Sequence, residues 1–327
     1  MTRKFELTKI SIAAVSSVVG KKEGEGPLAG LFDVIETDAM MGQNSWEKAE
    51  SAVLEKALKL VQEKAGGAQP DCAIAGDLMN QSTTASFVMR DIDVPFFGIF
   101  GACSAYGEGL GLASLLLGGA QAQRIMVGAA SHFCSSEKQF RFPLELGGQR
   151  PQTSTWTVTG AGAAVLEVGG DGPYVRATTT GRIVDMGIKD MSNMRAAMAP
   201  AAADTISRHL RSLSLDPSYY DVIATGDLGY VGQDLLLQLM REEGFDISHN
   251  HRDCGIEIYD CERQDTHSGG SGCACSAVVF NSLFYPKLKS REIRRMLLVP
   301  TGALGNQLTM QQGESIPSIA HAVAIEV

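Results

Sequence analysis

The string ACSA occurs twice in this chain, at Ala102–Ala105 and at Ala274–Ala277, and each copy sits inside a longer repeated pattern. Upstream of the first lies DCAIAGDL, from Asp71. Upstream of the second lies DVIATGDL, from Asp221. After each ACSA comes an apolar helical stretch. A basic residue and a buried-strand pattern follow, RIMVG from Arg124 and RMLLV from Arg295. A unit this long is no solenoid repeat. It predicts a duplicated α/β half-domain, with halves at 1–184 and 185–327, that brings related loop ends to one shared site. No low-complexity linker separates the halves, so they are expected to pack together.

Bulk properties exclude several classes. The chain has 327 residues, 44% hydrophobic and 20% charged, ordinary for a globular core. Its net charge of -9 argues against general nucleic-acid binding and against a polybasic membrane anchor. The seven cysteines show no paired framework and read as reduced thiols. MTRKFELTKI lacks the apolar core of a signal peptide. Ser268–Pro286 opens on a Gly/Ser-rich turn, and the glycine-containing stretch around Leu110–Leu117 is interrupted upstream by Glu108, so neither resembles a bilayer span, which takes about 20 mostly apolar residues. Work at a membrane would then depend on other chains.

Residues 8–19 predict a first strand and 20–43 a long surface insertion. A helix is expected from Asn44, where Asn44 and Glu47 have capping-box spacing. Strands are expected near 71–75, 94–100 and 124–130, with a helix from Cys103 to Leu117. A polar loop covers 134–155. Strands near 156–168 and 173–184 follow. The second half opens with a helix at Ala199, placing Pro200 near its first turn.

Gly101-Ala-Cys-Ser-Ala, after an apolar strand and before a helix, resembles the nucleophile turn of the thiolase and ketoacyl-synthase superfamily. That resemblance implies a thiolase-like fold of five layers, αβαβα. Longer blocks resemble the stage V sporulation protein AD family: FDVIETDAMMGQNSWEKAES, SHFCSSEKQFRFPLELGGQRPQTSTWTVTGAGAAV, MAPAAADTI, TGDLGYVG, HRDCGIEIYD, GGSGCACSAVV and QQGESIPSIAHAV. The resemblance implies a peripheral subunit of the spore inner-membrane SpoVA channel. Such a subunit binds dipicolinic acid and sits beside other SpoVA membrane subunits, for uptake in sporulation and release in germination. It also implies a homodimer paired through first-half sheets.

Cys103 is expected at a helix N-terminus, where unsatisfied N–H groups and the helix dipole favour thiolate. It reads as a nucleophile, a pocket-lining group or a small residue for a tight turn. In the ketoacyl-synthase relatives a second-half histidine and asparagine complete the condensing site. The matching places here read Gly226-Asp227-Leu228 and the turn from His267 to Cys273, with Gly269 and Gly270. The resemblance therefore implies that both partners are missing and the condensing chemistry lost. The alternative is a cysteine-dependent acyltransferase or thioesterase using Cys103 with His132 as base.

The expected site residues are suited to an anion. Converging helix starts at Cys103 and near Cys273, with Gly270 on the approach, offer backbone donors. Ser104, Ser131, Ser271 and Thr301 offer hydroxyls, and His132 and His209 offer a charge or a ring. Asp227 can accept from a protonated ligand, hold a calcium that accompanies it, or cap a helix. His209 also lies on an apolar helix face with Ile206, Leu210 and Leu213. The group His249, His251, Cys254, Cys261, His267, Cys273 and Cys275 has irregular spacing, so no metal and no cofactor are expected.

Overall fold

The computed structural model describes residues 1–5, 8–140 and 150–327. The first half runs β1 (Thr2–Lys4), β2 (Ile10–Gly20), β3 (Val34–Glu36), α1 (Trp46–Lys64), β4 (Cys72–Gly76), α2 (Thr83–Ile92), β5 (Phe96–Ile99), α3 (Ala105–Gly118), β6 (Arg124–Ser131), α4 (Phe133–Phe140), β7 (Trp156–Thr157) and β8 (Gly160–Val168). The second runs β9 (Tyr174–Thr179), α5 (Met194–Leu213), β10 (Val222–Thr225), α6 (Gly229–Glu242), β11 (His251–Asp253), α7 (Cys254–Glu257), β12 (Gly270–Ser271), α8 (Cys273–Val279), α9 (Tyr285–Lys289), β13 (Arg295–Val299), β14 (Thr301–Ala303), α10 (Gln307–Gln311), β15 (Ser318–Ala320) and β16 (Ala322–Glu326).

The duplication is visible strand by strand. The first half orders its strands β2-β8-β6-β4-β5, and the second β9-β16-β13-β10-β11. In each, the first two pairings are antiparallel and the last two parallel. The two sets join where Ile10 and Ser11 pair with Val175 and Tyr174, so β9, expected to close the first half at 184, instead opens the second set of strands. Even the strand entries match. Asp71 Oδ2 accepts the amides of Gln123 and Arg124, and Asp221 Oδ2 accepts those of Arg294 and Arg295.

The side-chain period of two explains the layering. In β6, Ile125 and Val127 face a central apolar cluster, while Met126 and Ala130 face an outer one. In its twin β13, Met296 and Leu298 face the same central cluster, while Leu297 and Val299 face the other outer one. Both strands are buried on both faces, which is why they read as unbroken apolar runs. Each valine, leucine, isoleucine or methionine among these contributes roughly 1.5–3 kcal/mol of burial. Helices α3 and α8 fill the centre, α1 covers the first sheet, and α5 with α6 covers the second. Five layers result.

Three local expectations change. Helix α1 is capped by Ser45, whose Oγ accepts from Lys48 N at 3.3 Å, one residue later than the Asn44 spacing suggests. The polar loop expected at 134–155 begins as helix α4, and 141–149 lie outside the described residues. Helix α5 starts at Met194, so Pro200 sits inside it and not at its first turn. A short helical turn capped by Asp190, which accepts from Ser192 N at 2.9 Å, leads the chain into α5 early. Among the described residues no helix is long and apolar enough to cross a membrane.

Candidate functional site: a cavity between the two cysteine turns

The first ACSA turn meets the turn that leads into α8 at Cys273, while the second ACSA string, Ala274–Ala277, lies inside α8 itself. The first is forced by its neighbours: Ala102 takes a left-handed φ of 48°, and Ser104 Oγ donates to Gly101 O at 2.7 Å. Strand β14 lies directly on it. A Cβ on Gly302 would sit 2.0 Å from Gly101 O, so only glycine permits the approach. From the second turn, Cys273 Sγ donates to Ala102 O at 2.9 Å. Cys103 Sγ lies 3.8 Å from Ser271 Oγ, which donates to Asp227 Oδ2 at 3.0 Å. The amide of Gly272 reaches the same oxygen at 3.2 Å.

These groups back a cavity of about 220 Å³. Cys103 and Ser271 form its floor. Ser136, Glu137 and Phe140 of α4, Thr155 and Thr157 at β7, and Met194 and Arg195 of α5 form its walls. The volume is below the ~300–1,000 Å³ of drug-sized sites. It suits a small rigid molecule.

Among the described residues that line the cavity, Arg195 is the cation. It is 2% exposed, and among the described residues no carboxylate hydrogen-bonds to it. Its Nη2 donates to Thr155 Oγ1 and its Nη1 to Met198 Sδ at 3.0 Å, while Nε has no partner there. Ser136 Oγ, elsewhere in the lining, is also unpartnered among the described residues, as is the buried Asp227 Oδ1. A buried guanidinium with a spare donor is costly unless something completes it.

The chemistry of Cys103 runs against the thiolate expectation. Burial pushes its thiol pKa far up, the Asp227 charge adds to this, and Arg195 only partly opposes it. A thiol held protonated is a poor nucleophile. The helix proper starts two residues later, at Ala105, so the dipole offers Cys103 less than its sequence position suggests. The carboxyl of Asp227 is itself pushed up by burial, against the pull of Arg195.

Of the other expected residues, His132 is buried with both ring nitrogens engaged, by Ala39 O at 2.9 Å and by Cys134 N at 3.1 Å. Its ring packs on Trp46, away from Cys103. His209 is not at the site. It is held between Thr179 Oγ1 at 2.8 Å and Tyr220 OH at 2.7 Å, and burial lowers its pKa to about 4. Ser104 and Ser131 shape the turns, Ser131 Oγ donating to Val158 O and accepting from Ala274 N. Gly270 lies in β12, behind the cavity, where a Cβ would meet Ile258 at 2.7 Å. Thr301 is fully buried with its hydroxyl unpartnered among the described residues. The cysteines and histidines of irregular spacing go to separate contacts: Cys275 to Gly226 O, Cys261 to Tyr259 O, His251 to Thr225, His267 to Asp265.

The sequence reading does not reach Arg195, Ser136 or Thr155. With the helix expected to start at Ala199, Arg195 falls in a loop. Its signal is its isolation, a lone charge within MRAAMAPAAA.

A family profile described as "Stage V sporulation protein AD (SpoVAD)" matches residues 1–326. The chain belongs to the SpoVAD family. It is 41% identical over 319 residues to the stage V sporulation protein AD of Bacillus subtilis (strain 168), covering 97% of this chain and 94% of that one. Solved structures share its fold at low identity. The 3-oxoacyl-[acyl-carrier-protein] synthase III of Aquifex aeolicus VF5 superposes with a TM-score of 0.56 at 13% identity, over 98% of this chain and 100% of that one. The cerulenin-bound OleA of Xanthomonas campestris gives 0.61 at 15% identity, over 98% of this chain and 99% of that one. The fold is thus the thiolase-like one of these condensing enzymes, and the family is a sporulation family.

Proposed function

We propose that this chain binds dipicolinic acid in the Cys103 cavity without turning it over, as a peripheral subunit of the SpoVA channel at the spore inner membrane. The observation that carries the reading is Arg195: a buried guanidinium with an unpartnered Nε, lining a small cavity. Pyridine-2,6-dicarboxylate is small, rigid and doubly negative at neutral pH. Arg195 offers one carboxylate a charge-assisted partner, and the Ser136 hydroxyl in the lining is a further spare donor. Phe140, Met191 and Met194 supply apolar surface for the ring.

The absence of turnover is supported by the thiol. Cys103 is kept protonated by burial and by Asp227, and among the described residues no histidine hydrogen-bonds to it. The acyl-transfer alternative needs such a base. A homodimer is part of the proposal. Among the described residues β5 ends the sheet, paired only with β4, and its vicinity exposes Phe97 and Phe100.

The test is a calorimetric titration with pyridine-2,6-dicarboxylate against its 3,5 isomer. Saturable heat with the 2,6 acid alone is expected. No heat with either, together with an acyl adduct on Cys103 after exposure to an acyl-thioester, would sink the reading in favour of the enzyme.

A further inference from the structure

The net charge of -9 hides a local reversal. Between α9 and β13 the sequence reads KLKSREIRR, which sets Lys287, Lys289, Arg291, Arg294 and Arg295 against the single Glu292. The fold turns this run into a rigid tip. Leu288 and Ile293 are buried and pin it from inside. Arg291 takes a left-handed φ of 64°, and the amides of Ser290, Arg291 and Ile293 close the turn on Pro286, Leu288 and Lys287. With the apolar pair inside, Lys289, Arg291 and Arg294 are forced outward and exposed.

Little neutralises them. Lys287 pairs with Glu292 at 2.8 Å, and Lys289 Nζ donates to the neutral carbonyl of Gly172 at 3.1 Å. Among the described residues Lys289, Arg291 and Arg294 make no ion pair. Asp221, which lies at the start of the strand, spends its carboxylate on the backbone amides of Arg294 and Arg295. The helix dipole accounts for basic residues in the last turn of α9, Lys287 and Lys289. It does not account for Arg291 and Arg294, which lie beyond it.

The tip is also placed far from the cavity. The helical run that starts at Cys273 continues through residues 280–284 into α9 and ends at Lys289. At 1.5 Å per residue it separates the two ends by about 25 Å.

We propose that the Lys287–Arg295 tip docks this chain on an anionic lipid surface, with the Cys103 cavity at the end turned away from the bilayer. A cluster of exposed basic side chains on an otherwise acidic body fits a flat negative surface. A nucleic acid would need an extended stripe or groove and would be repelled by the remaining body. The inference shares with the proposed function only the membrane. It does not depend on the ligand.

The experiment is co-sedimentation of the full chain with phosphatidylglycerol–phosphatidylcholine vesicles and with pure phosphatidylcholine vesicles. Binding to the anionic vesicles alone is expected, weakening as salt shortens the screening length. The triple variant K289Q/R291Q/R294Q should bind about a hundredfold more weakly, since each basic residue near the surface counts for roughly a fivefold factor. Glu292→Gln should bind several-fold more tightly, and it tests the same idea if the triple variant fails to fold. Equal binding to both vesicles, no binding to either, or unchanged binding by both variants overturns the proposal. So does capture by heparin with no vesicle binding, which would make the partner a soluble polyanion. Dipicolinate titration of the triple variant should be unchanged, which separates failure here from failure of the ligand reading.

Discussion

Replacing Arg195 by methionine separates a ligand-binding cation from a structural one. Methionine keeps much of the length and removes the charge. Arg195 is 2% exposed, and among the described residues its Nε lacks a partner and its other hydrogen bonds go to one threonine hydroxyl and one thioether. A buried charge so poorly completed gives little net stability, and apolar replacements of such groups are often neutral or stabilising. Against this, Asp227 loses the positive charge that now opposes its upward shift, so its pKa moves further up. The expected change in unfolding free energy is within about 1 kcal/mol of zero. The ligand term is larger. A hydrogen bond to a charged partner is worth roughly 1.5–3 kcal/mol, which is about 10- to 150-fold in affinity. Calorimetric titration with pyridine-2,6-dicarboxylate, paired with urea unfolding of the same samples, reads both. If Arg195→Met costs several kcal/mol of stability and leaves the affinity unchanged, Arg195 is a structural counter-charge and the reasoning fails.

Other expectations are more local. Cys103→Ala should weaken dipicolinate binding only a few-fold, because donors remain, whereas Cys103→Trp fills the cavity and should abolish it; a tryptophan variant with native affinity puts the site elsewhere. Glu50 is fully buried, and burial, reinforced by Asp77, lifts its carboxyl to about 8, while burial lifts Asp77 to about 6. Both values are raised on folding, so the folded state holds extra protons. Their contribution to stability is therefore greatest in acid and is lost as pH rises through 6 and then 8. Glu50→Gln, which keeps an acceptor for Ser135, should flatten that fall and raise Tm at about pH 9; a parallel pH profile in the variant refutes it. Gly302→Ala forces β14 off the Gly101 carbonyl and should cost about 1–3 kcal/mol while lowering ligand affinity, measured by thermal unfolding and titration.

Much of the fold was legible because its signals are local. The duplicated strings located twin strands, and runs such as RIMVG and RMLLV marked strands buried on both faces. The turn at the first ACSA was found for the same reason; the second string lies inside α8, and the turn beside it ends at Cys273. The twin motifs also misled, because duplication preserves backbone and not role. Asp77 accepts amides of Met79 and Ala85, while its counterpart Asp227 accepts from Ser271 and Gly272 beside Cys103. His132 and Ser131 sit at a strand end, where α/β sites gather, but their polar atoms are spent on the backbone.

The sequence by itself determined the α/β duplication, the faces each strand buries and the meeting of two cysteine turns, since these follow from periodicity and from repeated strings. Only the tertiary structure decided what completes the site. Arg195 reaches the cavity because α5 begins at Met194, a choice made by the Asp190 cap and by packing against the second sheet, both stronger than the helix-breaking tendency of Pro200. Cys103 and Ser271 are 168 residues apart along the chain and 3.8 Å apart in space. A residue's pattern tells which way it faces; which charge it will meet there depends on how the two halves close.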